Sequence, residues 1–443
     1  MKYVVFAFAA LGVPPLAFLL CLNLRWMKHV FWGMVAAMCL YHATSINFFS
    51  REFYPGTARG MEVSLVYLLD AAILLALAVR GRVGKFLPDG GSRLYAAYFA
   101  LCLPSLFIAD DLMVSWFEVW KMALVFLHFL AVYSYLRATG GVKHVLQALL
   151  VFTVVNGLAV VKAHYAGVFQ PGGVFPHRNG MAMGMLLLGP VFFASYLTYG
   201  LRTWFGRFSA VAFAFAALST LWSYSRGAIA MTPVAYGIAA AACLWDGKDR
   251  LPKLRRLLPF VVVGAIGLAV MFPRLVDRFA NAPKSSGDTR VELAACAWEM
   301  VKDHPLAGVG INNWSLNMDP VHPYQDRASE ALGVEMNYRG IVETVYLLVA
   351  AECGVPALVA MLAWLAWFWF LCLRLMRRLK GTQWVFVPAG LLGGLSANYL
   401  QSALEWVLRQ QLNLIMLMFV FALLSWLSAN GDRLVSASEA RRR

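Results

Sequence analysis

The chain has 443 residues, of which 61% are hydrophobic and 14% charged, and its mean hydropathy is +0.65. No water-soluble fold tolerates that composition. The formal charge of +15 (38 Lys and Arg against 23 Asp and Glu) would point to nucleic acid in a soluble chain, but here it is concentrated in the connections between apolar runs, so nucleic acid is excluded as a partner and membrane lipid is expected instead.

Apolar runs about as long as a spanning helix recur from end to end, for example Tyr3–Leu22 and residues 63–79, 116–135, 146–161, 181–197, 229–245, 258–272, 358–375 and 412–427. Backbone polar groups in lipid must be satisfied within the segment, so these runs predict helices and not an open sheet. The first run is followed at once by a second and lacks a small-residue cleavage pattern, so it reads as a retained span. Basic residues cluster at Arg80, Arg82 and Lys85, at Arg137 and Lys143, at Arg202 and Arg207, from Lys248 to Arg256, from Arg374 to Lys380, and in the tail 441–443. The positive-inside rule sends these connections to the cytoplasm and the alternate ones to the opposite side. The alternation closes from the third span onward, whereas Arg25 and Lys28 would put Met1 outside. The expected fold is an all-α polytopic membrane protein of about 12 helices, or one more, with a large outer loop between late helices. Its parts are a helix bundle over 1–273, the loop with short helices over 274–340, further spans over 341–430 and a basic cytoplasmic tail over 431–443.

The seven cysteines are scattered, with no C-x-x-C pair, and read as small apolar residues within spans; only Cys296 falls in the outer loop. That loop is the one segment of soluble composition and is too long for a mere connector. Its polar start, Lys284 to Arg290, offers Asp288 or Thr289 as cap for a helix from Arg290 to about Asp303. The glycine-rich run His304-Pro-Leu-Ala-Gly-Val-Gly310 then ends that helix, and residues 318–340 read as irregular.

Chemistry is sought among charges at the outer membrane level, where burial without a partner is expensive. Arg226 lies in a very short outer connection, Ser223-Tyr-Ser-Arg226-Gly, and its guanidinium can offer a bidentate fork to phosphate; an interfacial anchor is the plainer reading. Arg290, opening the loop helix, would sit where the helix dipole favours an anion, against simple surface solvation. Glu343 and Glu352 are nine apart, about 180° round a regular helix, so one can face a reaction while the other faces the bundle. A partly buried carboxylate there would have a raised pKa and serve as a general base; a structural salt bridge is the alternative, and the favoured one for Glu352. His177, His304 and His322 are fallback bases that also read as plain loop histidines. Glu62 with Asp70, and Glu118 with Lys121, read as buried structural pairs.

Taken in order, Phe175-Pro-His-Arg-Asn179, Ser225-Arg226-Gly227, Thr289-Arg290, His304 to Gly310, and Tyr346-Leu347 with Glu352-Cys-Gly354 resemble the O-antigen ligase and polymerase superfamily over residues 172–354. The resemblance implies a GT-C-like, metal-independent glycosyltransferase of the bacterial inner membrane, without a cofactor. Its donor would be an undecaprenyl-diphosphate-linked glycan, used on the periplasmic face, and its acceptor a lipid A-core oligosaccharide or another glycan. It further implies that Arg226 and Arg290 hold the donor diphosphate; Arg178 is a further candidate for that role, and His177, Asn179, His322 and Tyr346 are candidates for supporting ones. The family activates its acceptor with a histidine in an H-N-x-Y-L pattern; here the segment reads Glu343-Thr-Val-Tyr346-Leu, so Glu343 takes the base role. Ligase, polymerase and protein O-oligosaccharyltransferase share these motifs. A transporter should instead show repeated halves with broken helices at mid-depth, and no repeat is visible.

Overall fold

A computed structural model describes residues 2–280, 285–336 and 340–440 of the chain. Lys284, Arg339 and the tail residues 441–443 lie outside the described residues. The first apolar run forms two helices, α1 (Lys2–Leu11) and α2 (Val13–Leu22), with prolines in the first turn of α2 where a missing N–H costs nothing. Then come α3 (Met27–Cys39), the single turn α4 (Tyr41–Thr44) and a two-stranded antiparallel hairpin, β1 (Ser45–Ser50) and β2 (Gly60–Ser64), in which Ser45 faces Ser64 and Asn47 faces Glu62. The hairpin corrects the all-α expectation in this one place, and it shortens the run expected at 63–79 to α5 (Leu65–Val79).

After α5 the chain forms α6 (Gly90–Cys102), α7 (Leu112–Thr139), α8 (Val142–Tyr165), α9 (Arg178–Tyr199), α10 (Trp204–Trp222), α11 (Arg226–Trp245) and α12 (Arg250–Ala280). Local chemistry sets several of these ends. Asp89 and Ser92 make a reciprocal capping box on α6, Asp111 accepts from the Met113 and Val114 amides at the start of α7, and Gly140, at φ +64°, closes that helix. The outer loop holds α13 (Ser285–Asp303) and α14 (Tyr324–Leu332), and the chain ends with α15 (Val345–Arg378), α16 (Phe386–Gln401) and α17 (Gln411–Ala440).

Two expectations change, both in the outer loop. The loop helix begins at Ser285, so Arg290 lies inside α13 and not at its N-terminus, and the dipole argument does not apply to it. The stretch 318–340 contains α14 and is not wholly irregular. The expected divisions at 273 and 430 fall within α12 and α17, where the backbone is continuous.

Among the described residues eight helical segments are long and apolar enough to cross a membrane: Tyr3–Leu22, α7, α8, α9, α10, α11, α15 and α17, with α5 a shorter apolar helix. The protein is therefore a multi-pass helical membrane protein. Helix α9 is buried along its whole apolar length and forms the axis of the bundle, packed by α10, α11 and α16. Helices α7, α15 and α17 run parallel, since contacts step together along them: Lys121 meets Arg409, and His128 meets Phe419. Further along, Phe368 stacks on Phe421 and Arg378 pairs with Asp432.

That register sorts the polar features to two ends. One end gathers basic connections: Arg137 donates to the Val83 carbonyl, Arg256 to the Leu197 and Thr198 carbonyls, and Lys248 to the Gly381 carbonyl. The other end gathers the starts of α7, α9, α11, α15 and α17 together with α13 and α14.

Candidate active site

The glycine motifs are two halves of one junction. The Val309 and Gly310 amides donate to the Ala351 and Glu352 carbonyls at 2.9 and 3.1 Å, and the Val355 amide donates to the Pro305 carbonyl at 2.8 Å. These bonds exist because α15 breaks at Gly354, whose φ of +84° frees its backbone to meet the loop. A β-carbon at Gly354 would fall 2.4 Å from the Leu306 carbonyl carbon, and one at Gly308 2.3 Å from that of Glu352. The outer loop is thus pinned to the helix that follows it, which fixes α13 over the bundle end.

Beneath this junction lies a fully buried charged network. Arg409 pairs with Glu352 at 2.5 Å and Glu118 at 3.1 Å, and Lys121 pairs with Glu118 at 2.6 Å and donates to the Arg409 carbonyl at 2.9 Å. The Thr57 hydroxyl donates to Glu118, and the Trp314 amide to Glu352. Glu352 is therefore held in a structural salt bridge, and Glu118 with Lys121 is a buried pair. Asp70 finds its partner in His128 of α7, at 2.9 Å, rather than in Glu62.

Above the network is a second, more open cluster. Glu343, just ahead of α15, pairs with Nε of Arg290 from α13, and the Arg290 guanidinium also lies 3.8 Å from Glu405 in the α16–α17 connection. Asn179, in the first turn of α9, donates its amide to Glu405 Oε1 at 2.8 Å. Arg290 and Glu343 are about one-third exposed, at 36% and 37%, whereas the Glu405 side chain is 8% exposed. Burial, and next the negative charge of Glu343, push the Glu405 carboxyl up to about 7; the Asn179 hydrogen bond and the charges of Arg290 and Arg178 hold it from rising further.

Arg178 opens α9 and Arg226 opens α11, and both are half-buried. Ala182 and Leu186 of α9, Ala228 and Ala235 of α11, and Ala397 of α16 pack in one cluster, so the two arginines begin adjacent helices. Gly227, next to Arg226, lies against Gln401 and Leu404, the approach to Glu405. The structure therefore draws Arg290, Glu343, Asn179 and Arg178 around Glu405, with the start of α11 alongside.

The other candidates have different surroundings. His177 accepts the Asn179 amide at Nδ1, and burial, then the Arg178 charge, lowers its pKa. His322 stacks on Tyr324 and lies 3.4 Å from Asp110, with the loop facing α7. His304 closes α13 through its backbone, and Tyr346 donates its hydroxyl to the Tyr399 carbonyl, tying α15 to α16. Sequence reasoning passed over Glu405 and Arg409. Both sit in the short outer connection 405–411, and the criterion that selected Arg226, a charge in a short connection between apolar spans, applies to them equally.

A loop folded back on a helical bundle thus presents arginines and carboxylates at one end of a multi-pass membrane protein, an arrangement suited to an anionic ligand. Residues 211–362 of the 443 match the O-antigen ligase family, so the chain is similar to that family over this segment. The matched segment includes Arg226, Arg290, Glu343 and Glu352, and leaves Arg178, Asn179, Glu405 and Arg409 outside it. No curated protein matches the chain.

Proposed function

We propose that the protein is an O-antigen ligase that transfers a glycan from an undecaprenyl-diphosphate donor to a lipid A-core acceptor, at the periplasmic face of the bacterial inner membrane. The observation that carries this reading is the Arg290–Glu343 pair, set beside Glu405 and Asn179 at the bundle end opposite the basic connections. The basic end is the one that the positive-inside rule assigns to the cytoplasm. The reading takes α3, α5, α12 and α16 as further spans beside the eight long apolar segments.

In this mechanism Arg226, Arg290 and Arg178 neutralise the diphosphate as it leaves. The acceptor hydroxyl oxygen bonds to the anomeric carbon while that carbon's bond to the phosphate oxygen breaks, its electron pair going to the lipid diphosphate. Glu343 takes the hydroxyl proton. Attack from the face opposite the leaving group inverts the anomeric centre. The donor's polyprenyl chain lies among the exposed apolar side chains of the spans. Transfer is measured in detergent with EDTA present, from purified donor to lipid A-core, for wild type and for Arg226→Ala, Arg290→Ala and Glu343→Gln. The reading requires wild type to transfer and all three variants to be folded and inactive. Full activity in Glu343→Gln would remove the carboxylate from the base role, and wild-type transfer only to a second repeat unit would make the enzyme a polymerase.

A further inference from the structure

Arg290 cannot serve two masters at once. In the structure its guanidinium is held by the Glu343 carboxylate and faces Glu405, yet the reading above asks it to grip a diphosphate. Both carboxylates touch the same cation from different elements, Glu343 from the head of α15 and Glu405 from the α16–α17 connection. Each is therefore the other's nearest like charge once that cation turns elsewhere.

We propose that donor binding draws Arg290 off the two carboxylates, and that Glu405 then takes up a proton from solvent, which leaves Glu343 the one ionised acid of the pair, free of its arginine and open to the acceptor hydroxyl. Glu405 is thus a positioning residue that acts through Glu343, and the donor must bind before the acceptor can be deprotonated. The inference rests on the ligase reading and deepens it.

The physical argument is one of charge. The groups facing Glu405 are Glu343, Arg290 from α13, and Arg178 and Asn179 from α9. With Arg290 in place, the two acids share a partner, and burial with the Glu343 charge drives Glu405 toward neutrality, to about 7. Withdrawing a positive charge and bringing two phosphate charges nearby both favour the protonated form of a carboxyl. Two like charges that lose their common counterion hold a proton between them more tightly and titrate as a pair. That first proton comes from solvent and rests on Glu405, the more buried acid, so Glu343 stays ionised and, released by Arg290, receives the acceptor's hydroxyl proton only when donor is bound.

The inference predicts a proton balance that an inert structural Glu405 would not produce. Calorimetric titration of the full-length protein in detergent, at about pH 7.5 and in two buffers of different ionisation heat, reads protons exchanged on binding. The probe is a polyprenyl-diphospho-N-acetylhexosamine, in which each phosphate carries one ester and the shared anhydride, so neither titrates near neutrality. Wild type should take up roughly half a proton or more per donor bound. Glu405→Gln should bind the probe with that uptake abolished, and Glu405→Asp should restore part of it. Arg290→Gln, whose acids have already lost their counterion, should bind more weakly and with little uptake. Binding by wild type without proton exchange, or unchanged exchange in Glu405→Gln, overturns the inference while leaving the ligase reading intact. Failure of wild type to bind the probe at all overturns the reading on which it rests.

Discussion

Two arginines in this protein sit between two glutamates each, and they have opposite surroundings. Arg409 joins Glu118 and Glu352 beneath the loop junction, with no member of the set more than 7% exposed, and Lys121 completes it so that two positive and two negative groups cancel. Arg290 joins Glu343 and Glu405 at the bundle end, with 36% of its side chain open. The residue types are the same in both places. The difference is that the lower set is enclosed and closed upon itself by Thr57, Trp314 and Lys121, whereas the upper set presents a guanidinium that an incoming anion can reach. A charge constellation becomes a candidate site through exposure and through what its partners leave unfinished, more than through its composition.

The largest effect should come from breaking the lower set. Arg409→Ala leaves Glu118 and Glu352 buried with only Lys121 to answer them, a loss of about 3–5 kcal/mol by the usual cost of orphaning a buried charge. The expected result is little monodisperse protein after detergent extraction, read by fluorescence-detected size exclusion. A normal elution profile and thermal midpoint would mean that the network contributes little to the fold.

Next comes the upper set's arginine. Arg290→Ala should leave extraction and thermal midpoint near wild type, because the pair it breaks is part-exposed and such pairs contribute little. It should lower transfer by roughly 10²–10³-fold, the usual loss when one stabilising group is removed from developing negative charge. A variant that unfolds, or one that transfers normally, would erase the distinction between the two arginines.

Much of this contrast was legible in the sequence, but unevenly. Composition and run length gave the multi-pass helical class, and the ordered glycine and arginine signals gave the superfamily. The reason those glycines mattered was hidden, because Gly308 and Gly354 are far apart in sequence and meet only when α15 breaks. Glu343 and Glu352 were separated correctly into an outward and an inward acid, yet by a regular-helix argument that does not hold: Glu343 precedes α15 and Glu352 lies within it. The β-hairpin was missed because its strands are short and flank apolar runs that dominate the local pattern. Glu405 and Arg409 were missed because a seven-residue connection offers no periodicity, and their importance lies in partners from α7, α9, α13 and α15.

A third experiment separates the two acids of the upper set by pH. The Glu405 carboxyl is raised to about 7 in the folded protein, mainly by burial, from an ordinary value near 4.5. Its contribution to stability is therefore fully present below the unfolded value and is lost as pH rises through 7. Glu405→Gln keeps an acceptor for the Asn179 amide and does not ionise. The thermal midpoint of this variant should gain on wild type between about pH 5 and pH 7.5 and run parallel to it above that range. Parallel curves throughout would mean that Glu405 is ionised across the range and that its burial does not govern its charge.

The smallest effect is the sharpest use of the comparison, because it makes one chemical change in both places. Glu343→Gln and Glu352→Gln each replace an arginine-bound carboxylate with a neutral amide of the same shape. At Glu343, 37% exposed, water already screens the pair, so stability should shift by less than about 1 kcal/mol. At Glu352, 1% exposed and also bound to the Trp314 amide, the same change strips a buried guanidinium of half its compensation, and the loss should be several times larger. Transfer activity should rank the other way once corrected for folded protein, with Glu343→Gln inactive and the surviving fraction of Glu352→Gln competent. If both variants melt alike, exposure is not what divides the two sets. If the folded fraction of Glu352→Gln is also inactive, the lower network reaches into the chemistry through the loop junction that it supports, and the boundary between scaffold and site must be drawn lower in the bundle.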